Sequence, residues 1–260
     1  MSQSALITGA SSGIGKVYAE HLARAGYDLV IVARRKPLLD SLALRLTQDY
    51  GIKVEVIEAD LASSQGVTDV CKRIEEGARI NLFINNAGYA ARGTVASLDP
   101  DVLETMLQVN IIAMSRLSHS AMKRMTKEKS GKIINIASAT AFILLPGNAG
   151  YGASKTYVLS FTRHMQLEAL GTGVHIQALI PGVVATDFHQ LAGADLANFP
   201  PERVMSADDL VSASLSALEM EELVCIPSLP EVKDWEAYQA AEKAVAANVS
   251  RNQPAARYSL

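Results

Sequence analysis

Short apolar runs rich in β-branched residues alternate along this chain with longer stretches of helical periodicity, and that alternation restricts the fold more than any other feature. "SALIT" (4–8), "DLVIVA" (28–33), "KVEVIE" (53–58), "INLFIN" (80–85), "KIINIA" (132–137), "VHIQALI" (174–180) and "ELVCIP" (222–227) read as strands. Several are almost continuously apolar, as strands covered on both faces must be. Helical patterns fill about 14–25, 37–49, 65–78, 100–128, 152–170 and 206–219 between them. Such alternation calls for right-handed βαβ crossovers and an open parallel sheet of about seven strands with helices on both faces.

The chain has 260 residues, 49% hydrophobic and 20% charged, enough apolar material for one large α/β domain. From Pro230 the character changes: "EVKDWEAYQAAEKAVAANVS" spaces Val232, Trp235, Tyr238, Ala241, Val245 and Val249 three or four apart. We expect a domain over 1–230 and a helical extension over 231–260 packed on it. A net charge of −3 argues against nucleic-acid binding, which needs a basic surface. Residues 133–154 carry no charge, yet Asn135, Pro146, Gly147, Asn148 and Gly150 interrupt them. They read as a buried strand and a loop, not as a membrane span. Two distant cysteines, Cys71 and Cys225, and a start "MSQSALITGASSG" without a basic or long apolar region point to a reducing, cytoplasmic setting.

The first strand runs into "TGASSGIG" (8–15) and then into a helix. Gly9, Gly13 and Gly15 let backbone approach a ligand at a helix N-terminus, where N–H groups and the helix dipole favour a phosphate. A Walker-type loop is not formed, because Ala10 and Val17 stand where it needs glycine and a hydroxyl. "GASSG" also matches a nucleophile elbow with Ser11, but residues 1–4 leave no room for an oxyanion-hole loop from an earlier strand. At the end of the second strand, "VARRKP" places Arg34 and Arg35 where a carboxylate would meet an unmodified ribose; arginines there accommodate a 2′-phosphate and favour NADP(H) over NAD(H). In "YGASK", Tyr151 and Lys155 share one helix face. A free phenol, with a pKa of about 10, is a poor acid–base catalyst at neutral pH. A neighbouring ammonium and an oxidised nicotinamide stabilise the phenolate and make proton transfer feasible.

"TGASSGIG", "NNAG" (85–88), Ser138, "YGASK" and "PGVVAT" (181–186) together closely resemble the short-chain dehydrogenase/reductases, in their single-domain NAD(P)-dependent branch, over about residues 4–227. The resemblance implies a Rossmann-type doubly wound α/β fold and hydride transfer between NAD(P)(H) and an alcohol or carbonyl. With the paired arginines, the chain is then expected to be an NADP-dependent alcohol dehydrogenase or carbonyl reductase. It makes Tyr151 the general acid/base, and Lys155 the residue that lowers the tyrosine pKa and holds the nicotinamide ribose. Ser138 becomes the hydroxyl that polarises the substrate oxygen. Asn110, in "LQVNIIA", becomes the residue whose backbone supports a proton-relay water. Ser11, Ser12, Gly13 and Ile14 are implied phosphate contacts, Asp60 and Leu61 adenine contacts. Asn86, Ala87 and Gly88 are implied to lie under the cofactor, and Pro181, Gly182, Val184 and Thr186 to fix the nicotinamide carboxamide. No histidines show metal-ligand spacing, so no catalytic metal is expected.

Many members of that family end soon after the last strand with a "DGG"-like turn; here "CIPSLPEV" and some thirty further residues follow. A homodimer or homotetramer is expected, with the helices at 100–128 and 152–170 as the plausible contact. Residues 89–96, 140–146 and the stretch after Thr186 should frame the substrate pocket, with "FHQLAGADLANF" as a lid. They hold no basic cluster, which favours a small or medium carbonyl compound over a highly anionic one. The competing reading is a catalytically silent NADP(H)-binding regulatory or scaffold protein. The set Asn110, Ser138, Tyr151 and Lys155 favours the enzyme, since binding alone needs no acid with a tuner and an orienting hydroxyl.

Overall fold

The apolar runs do pair as parallel strands. In the computed structural model, which describes residues 3–191 and 195–258, the chain forms two compact units, Met1–Pro227 and Ser228–Leu260. The first half of the larger unit runs β1 (Ser4–Thr8), α1 (Gly13–Arg24), β2 (Asp28–Ala33), α2 (Lys36–Tyr50), β3 (Val54–Glu58), α3 (Ser64–Glu76) and β4 (Leu82–Asn85). Next come α4 (Pro100–Leu107), a π-helical turn (Gln108–Ala113), α5 (Met114–Glu128), β5 (Gly131–Ile136), α6 (Ala149–Glu168) and β6 (Val174–Leu179). The unit closes with β7 (Val183–Ala185), α7 (Phe188–Leu191), β8 (Val204–Ser206), α8 (Ala207–Glu219) and β9 (Val224–Cys225).

Seven strands form one parallel sheet in the order β3-β2-β1-β4-β5-β6-β9. Ile7 pairs with Ile31 on one side and with Ile84 on the other. The chain turns back between β1 and β4, and the crevice above such a reversal is where α/β sheets of this type bind ligands. Alternate side chains feed two cores. Ala5, Ile7, Leu29, Ile31, Leu82 and Ile84 pack with Tyr18, Leu22, Leu39 and Leu210 of α1, α2 and α8. Leu6, Val30, Val32, Phe83 and Ile133 pack with Val67, Val70, Leu117 and Met165 of α3, α5 and α6 on the other face. Coverage on both faces is the physical reason the strands carry so few polar residues.

Local chemistry sets the boundaries. Ser63 caps α3 by accepting from Gly66 N (3.0 Å), and Ser206 caps α8 by accepting from Asp209 N (3.0 Å). Asp99 followed by Pro100 opens α4. The single helix expected over 100–128 is instead interrupted by the π turn at Gln108–Ala113, where the Asn110 amide is drawn onto the backbone of Tyr89. The strand expected at 222–227 shrinks to two residues, and a parallel ribbon of β7 with β8 appears where none was foreseen. Segments of three residues are too short to show a period. Of the lid stretch, residues 192–194 lie outside the described residues; the remainder forms α7 and a 3-10 turn at Leu196–Asn198.

The smaller unit consists of α9 (Val232–Ala246), within which Trp235 stacks on Tyr238 (5.4 Å between ring centres), and a 3-10 turn at Ala256–Tyr258. Among the described residues no helix is long and apolar enough to cross a membrane. The uncharged stretch 133–154 resolves into the end of β5, a loop and the start of α6.

Candidate active site

The glycine turn leaves β1 at Thr8 and enters α1 at Gly13. Gly9 has φ +69°, a left-handed conformation that costs any side chain strain, and a Cβ there would lie 2.7 Å from Asn86 Nδ2. A Cβ on Gly15 would lie 2.5 Å from the Gly9 carbonyl oxygen, so the second constraint is close approach. The "NNAG" segment braces this turn. Asn86 N and Ala87 N both donate to Thr8 Oγ1 (3.0 Å each), and Asn86 Nδ2 donates to Thr8 O (2.8 Å). Asn85 points the other way, into the core, and donates to Met114 O (3.0 Å) and Ser118 Oγ (3.1 Å).

No side chain caps the α1 N-terminus and no acidic residue stands in its first turn, which leaves the site suited to an anion. Arg35 reaches back from the end of β2. Its Nη2 donates to Ser11 Oγ (2.9 Å) and Ser12 Oγ (2.7 Å), and its Nε to Ser11 Oγ (3.2 Å). Ser11 thus faces a guanidinium, which disfavours the nucleophile-elbow reading. Arg34 diverges: with Tyr89, Asp101, Val102 and Thr105 it lines a crevice of about 400 Å³. Asp60 turns its carboxylate onto Ala62 N (3.0 Å), while Leu61 is buried in the core. Thr186 lies about 3.6 Å from where a Gly13 Cβ would stand, and Pro181 O accepts from Ala139 N (2.8 Å). Val184 is buried and Gly182 exposed beside it. Asn86, Ala87, Arg35 and Thr186 therefore meet around one turn whose glycines, helix end and arginine fit a phosphorylated nucleotide.

The second cluster sits two strands further along the sheet, after β5. Ser138 follows β5, Tyr151 lies in the first turn of α6, and Lys155 stands one turn later. Tyr151 is only 8% exposed and Lys155 only 5%. The Ser138 hydroxyl accepts from Thr140 N (3.2 Å) and stands near enough to the Tyr151 phenol to favour its ionised form. Burial pushes the Tyr151 pKa up to about 12, against the lowering effect of Ser138. Burial likewise takes Lys155 down to about 8. The Lys155 ammonium lies 5.8 Å from the Tyr151 ring centre and donates to Ile136 O (2.9 Å). Desolvation is thus the largest influence on the Tyr151 phenol in this site.

Asn110, in the π turn, closes a reciprocal pair with Tyr89: Nδ2 donates to Tyr89 O (2.9 Å), and Tyr89 N donates to Oδ1 (3.1 Å). Its Nδ2 also donates to Ser154 Oγ (3.1 Å), which in turn donates to Tyr151 O (2.7 Å). A Cβ on Gly88 would lie 3.0 Å from Asn110 Oδ1 and 3.4 Å from Lys155 Nζ, so Gly88 keeps the space between them. Ser154 escaped the sequence reading, whereas Tyr89 and Phe188 lie in the stretches expected to frame the pocket. The Phe188 ring centre lies 5.9 Å from that of Tyr151. Ser154 did have a readable signal, its place one helical turn from Tyr151. Among the described residues no group of three metal-ligating side chains gathers.

Known proteins resemble this chain in sequence and fold. Residues 3–197 match the family model described as short chain dehydrogenase. A very-long-chain 3-oxoacyl-CoA reductase of Anas platyrhynchos is 30% identical over 207 residues, 78% of this chain; the chain spans just under two thirds, 66%, of that protein's length. A short-chain dehydrogenase from Sphingobium yanoikuyae, solved in complex with NADPH, superposes with a TM-score of 0.94 at 39% identity, covering 98% of this chain and 100% of its own. The bulky-bulky ketone specific alcohol dehydrogenase from Comamonas testosteroni superposes with a TM-score of 0.90 at 34% identity, covering 98% of each chain. Matched over three quarters of its length by the family model, with the glycine turn, its brace and the Ser138–Tyr151–Lys155 cluster inside the matched stretch, the chain belongs to the short-chain dehydrogenase family.

Proposed function

We propose that this protein is an NADP(H)-dependent oxidoreductase that interconverts a carbonyl compound and an alcohol, with Tyr151 as general acid/base. One observation carries the reading: a buried phenol beside Ser138 and Lys155 stands two strands away from a turn shaped for a dinucleotide phosphate. The S. yanoikuyae neighbour, solved with NADPH, supports the choice of cofactor, and the C. testosteroni alcohol dehydrogenase supports the reaction class. A bound nicotinamide cofactor supplies the hydride for reduction and accepts it in reverse.

The chain's own groups do the rest. Arg35, Ser11, Ser12 and the α1 N-terminus would hold phosphate, with Arg35 the residue that would meet a 2′-phosphate. Ser138 orients the carbonyl oxygen by hydrogen bonding, and the Tyr151 phenol, protonated in the resting site, donates its proton to that oxygen. Lys155, close to neutrality's upper edge at about 8, is placed to return a proton, while Asn110 and Ser154 hold the Tyr151 turn in register. Exposed Val102, Ile112 and Tyr157 on the helices of residues 100–168 support a homo-oligomer, which sedimentation tests.

The test is Tyr151→Phe. It should retain NADPH binding and lose roughly 10²–10⁴-fold in turnover on whichever carbonyl the wild type reduces, read at the NADPH absorbance band. Undiminished turnover sinks the mechanism. A flat response of the wild type across a broad panel of carbonyls and alcohols, with both cofactors, favours a nucleotide-binding protein without turnover.

A further inference from the structure

Tyr151 stands where α6 has little of its own to hold it. It lies in the first turn between Gly150 and Gly152, and the side chain of the N-cap residue Asn148 makes no capping bond. One side chain compensates. Ser154, wholly buried, donates from Oγ to Tyr151 O (2.7 Å), the backbone of the phenol-bearing residue itself. A serine that bonds back to the preceding turn is an ordinary helix feature, and alanine would be the stronger helix former. The other side of the hydroxyl has no such local explanation. It accepts from Asn110 Nδ2 (3.1 Å), a residue of the π turn. The remaining bonds of that amide go to the backbone of Tyr89, so Ser154 is what joins Asn110 to α6.

The same construction recurs further along the helix. Thr162, also wholly buried, donates from Oγ1 to Val158 O (2.7 Å) and accepts from Asn135 Nδ2 (3.0 Å) of β5. Two hydroxyls thus fasten α6 to two different elements, Thr162 to the sheet and Ser154 to the π turn. Only the second fastening reaches the reacting groups. A Gly88 Cβ would lie 3.0 Å from Asn110 Oδ1 and 3.4 Å from Lys155 Nζ, so Asn110 and Lys155 border one small space.

Resting on the acid/base reading of Tyr151, we propose that Ser154 is a positioning residue for proton transfer: its hydroxyl fastens the backbone of Tyr151 to Asn110, so that phenol and Lys155 keep the alignment in which a proton reaches the substrate oxygen. The task needs a group that donates to one partner and accepts from the other, which alanine cannot do. Proton transfer requires the donor within hydrogen-bond reach of its target, and small misplacements slow it steeply. Loss of the fastening should therefore slow the chemical step and leave binding alone.

The experiment compares the full-length wild type with Ser154→Ala, Thr162→Val and Tyr151→Phe, using NADPH and the fastest carbonyl of a panel that includes 4-nitrobenzaldehyde, acetophenone and cyclohexanone. Both hydroxyl deletions leave a buried asparagine N–H without its acceptor, so both should lower the urea midpoint. Ser154→Ala alone should lower kcat, by about 10-fold, with KM and NADPH affinity unchanged and a larger solvent deuterium isotope effect on kcat. In an Asn110→Ala background, Ser154→Ala should bring no further loss of kcat. Equal losses of kcat in Ser154→Ala and Thr162→Val reduce the role to stability and overturn the proposal. An undiminished kcat, an unaltered isotope effect or full additivity with Asn110→Ala overturns it too. In each of those cases, loss of turnover in Tyr151→Phe leaves the acid/base reading standing. Undiminished turnover in Tyr151→Phe, or no turnover of any panel member by the wild type, removes that reading and this proposal with it.

Discussion

The two arginines after β2 look equivalent in "VARRKP", yet the fold gives them different tasks. Arg35 lies across the glycine turn with three hydrogen bonds to Ser11 and Ser12, and Arg34 lines the crevice beside Tyr89. Arg35→Ala should therefore weaken NADPH about 10-fold or more relative to NADH, as loss of a charge-assisted bond of about 1.5–3 kcal/mol requires, with a smaller effect from Arg34→Ala. Cofactor fluorescence titration reads both; equal losses for the two cofactors refute the phosphate role. Lys155 offers a test through pH. Its pKa falls from 10.5 to about 8 on burial, so between those values the unfolded chain holds a proton that the folded one has lost. Stability must rise with pH across that window, and the cost of the buried charge is complete below it. Urea midpoints of the wild type should gain on those of Lys155→Met between pH 8 and 10; parallel curves would contradict the burial. Tyr151, Lys155 and Ser138 were legible in sequence because their spacing is a signature. The direction of the Tyr151 shift was not legible, since it comes from desolvation by residues far away in the chain.

Among the elements, what sequence spacing captured were the long ones. Strands with five or six apolar residues and helices with a clear stripe were placed within a few positions, because each buries a face that imposes a period. The π turn was hidden, as its cause is a tertiary bond from Asn110 to the backbone of Tyr89 and the intervening residues keep ordinary helical preferences. β7 and β8 were hidden by brevity. The glycine turn shows the opposite case, where single residues dictate an element. Gly15→Ala places a Cβ against the Gly9 carbonyl and Asn86 Nδ2, and overpacking of this kind costs about 1–3 kcal/mol. A lowered urea midpoint together with weakened NADPH binding is expected. An unchanged midpoint would mean that the turn relaxes without cost.

For the whole molecule, alternation of strand and helix was sufficient to give the doubly wound parallel sheet, since right-handed crossovers leave few other arrangements. It did not reveal what ties the helical layer to the sheet. Tyr18 of α1 donates to Ser214 Oγ of α8 (2.6 Å), and Ser214 Oγ donates to Gln177 Oε1 of β6 (2.8 Å), all three buried. Burial pushes the Tyr18 pKa far above the ordinary phenol range, so the group stays neutral and hydrogen-bonded. Tyr18→Phe should cost about 1–3 kcal/mol in chemical denaturation without changing NADPH affinity; an unaffected midpoint would show that Ser214 is satisfied by Gln177 alone.

The position of β1 between β2 and β4 also fixes when its pairing can be completed. Ala5, Leu6 and Ile7 are wholly enclosed, and Ser4 N donates to Asn81 Oδ1 across the sheet. β1 thus waits for its second neighbour, because Ile84 must be synthesised before Ile7 is covered on that side. Until then the nascent chain carries a sticky, unpaired edge of its own central strand, the kind of intermediate that holdase chaperones exist to shield.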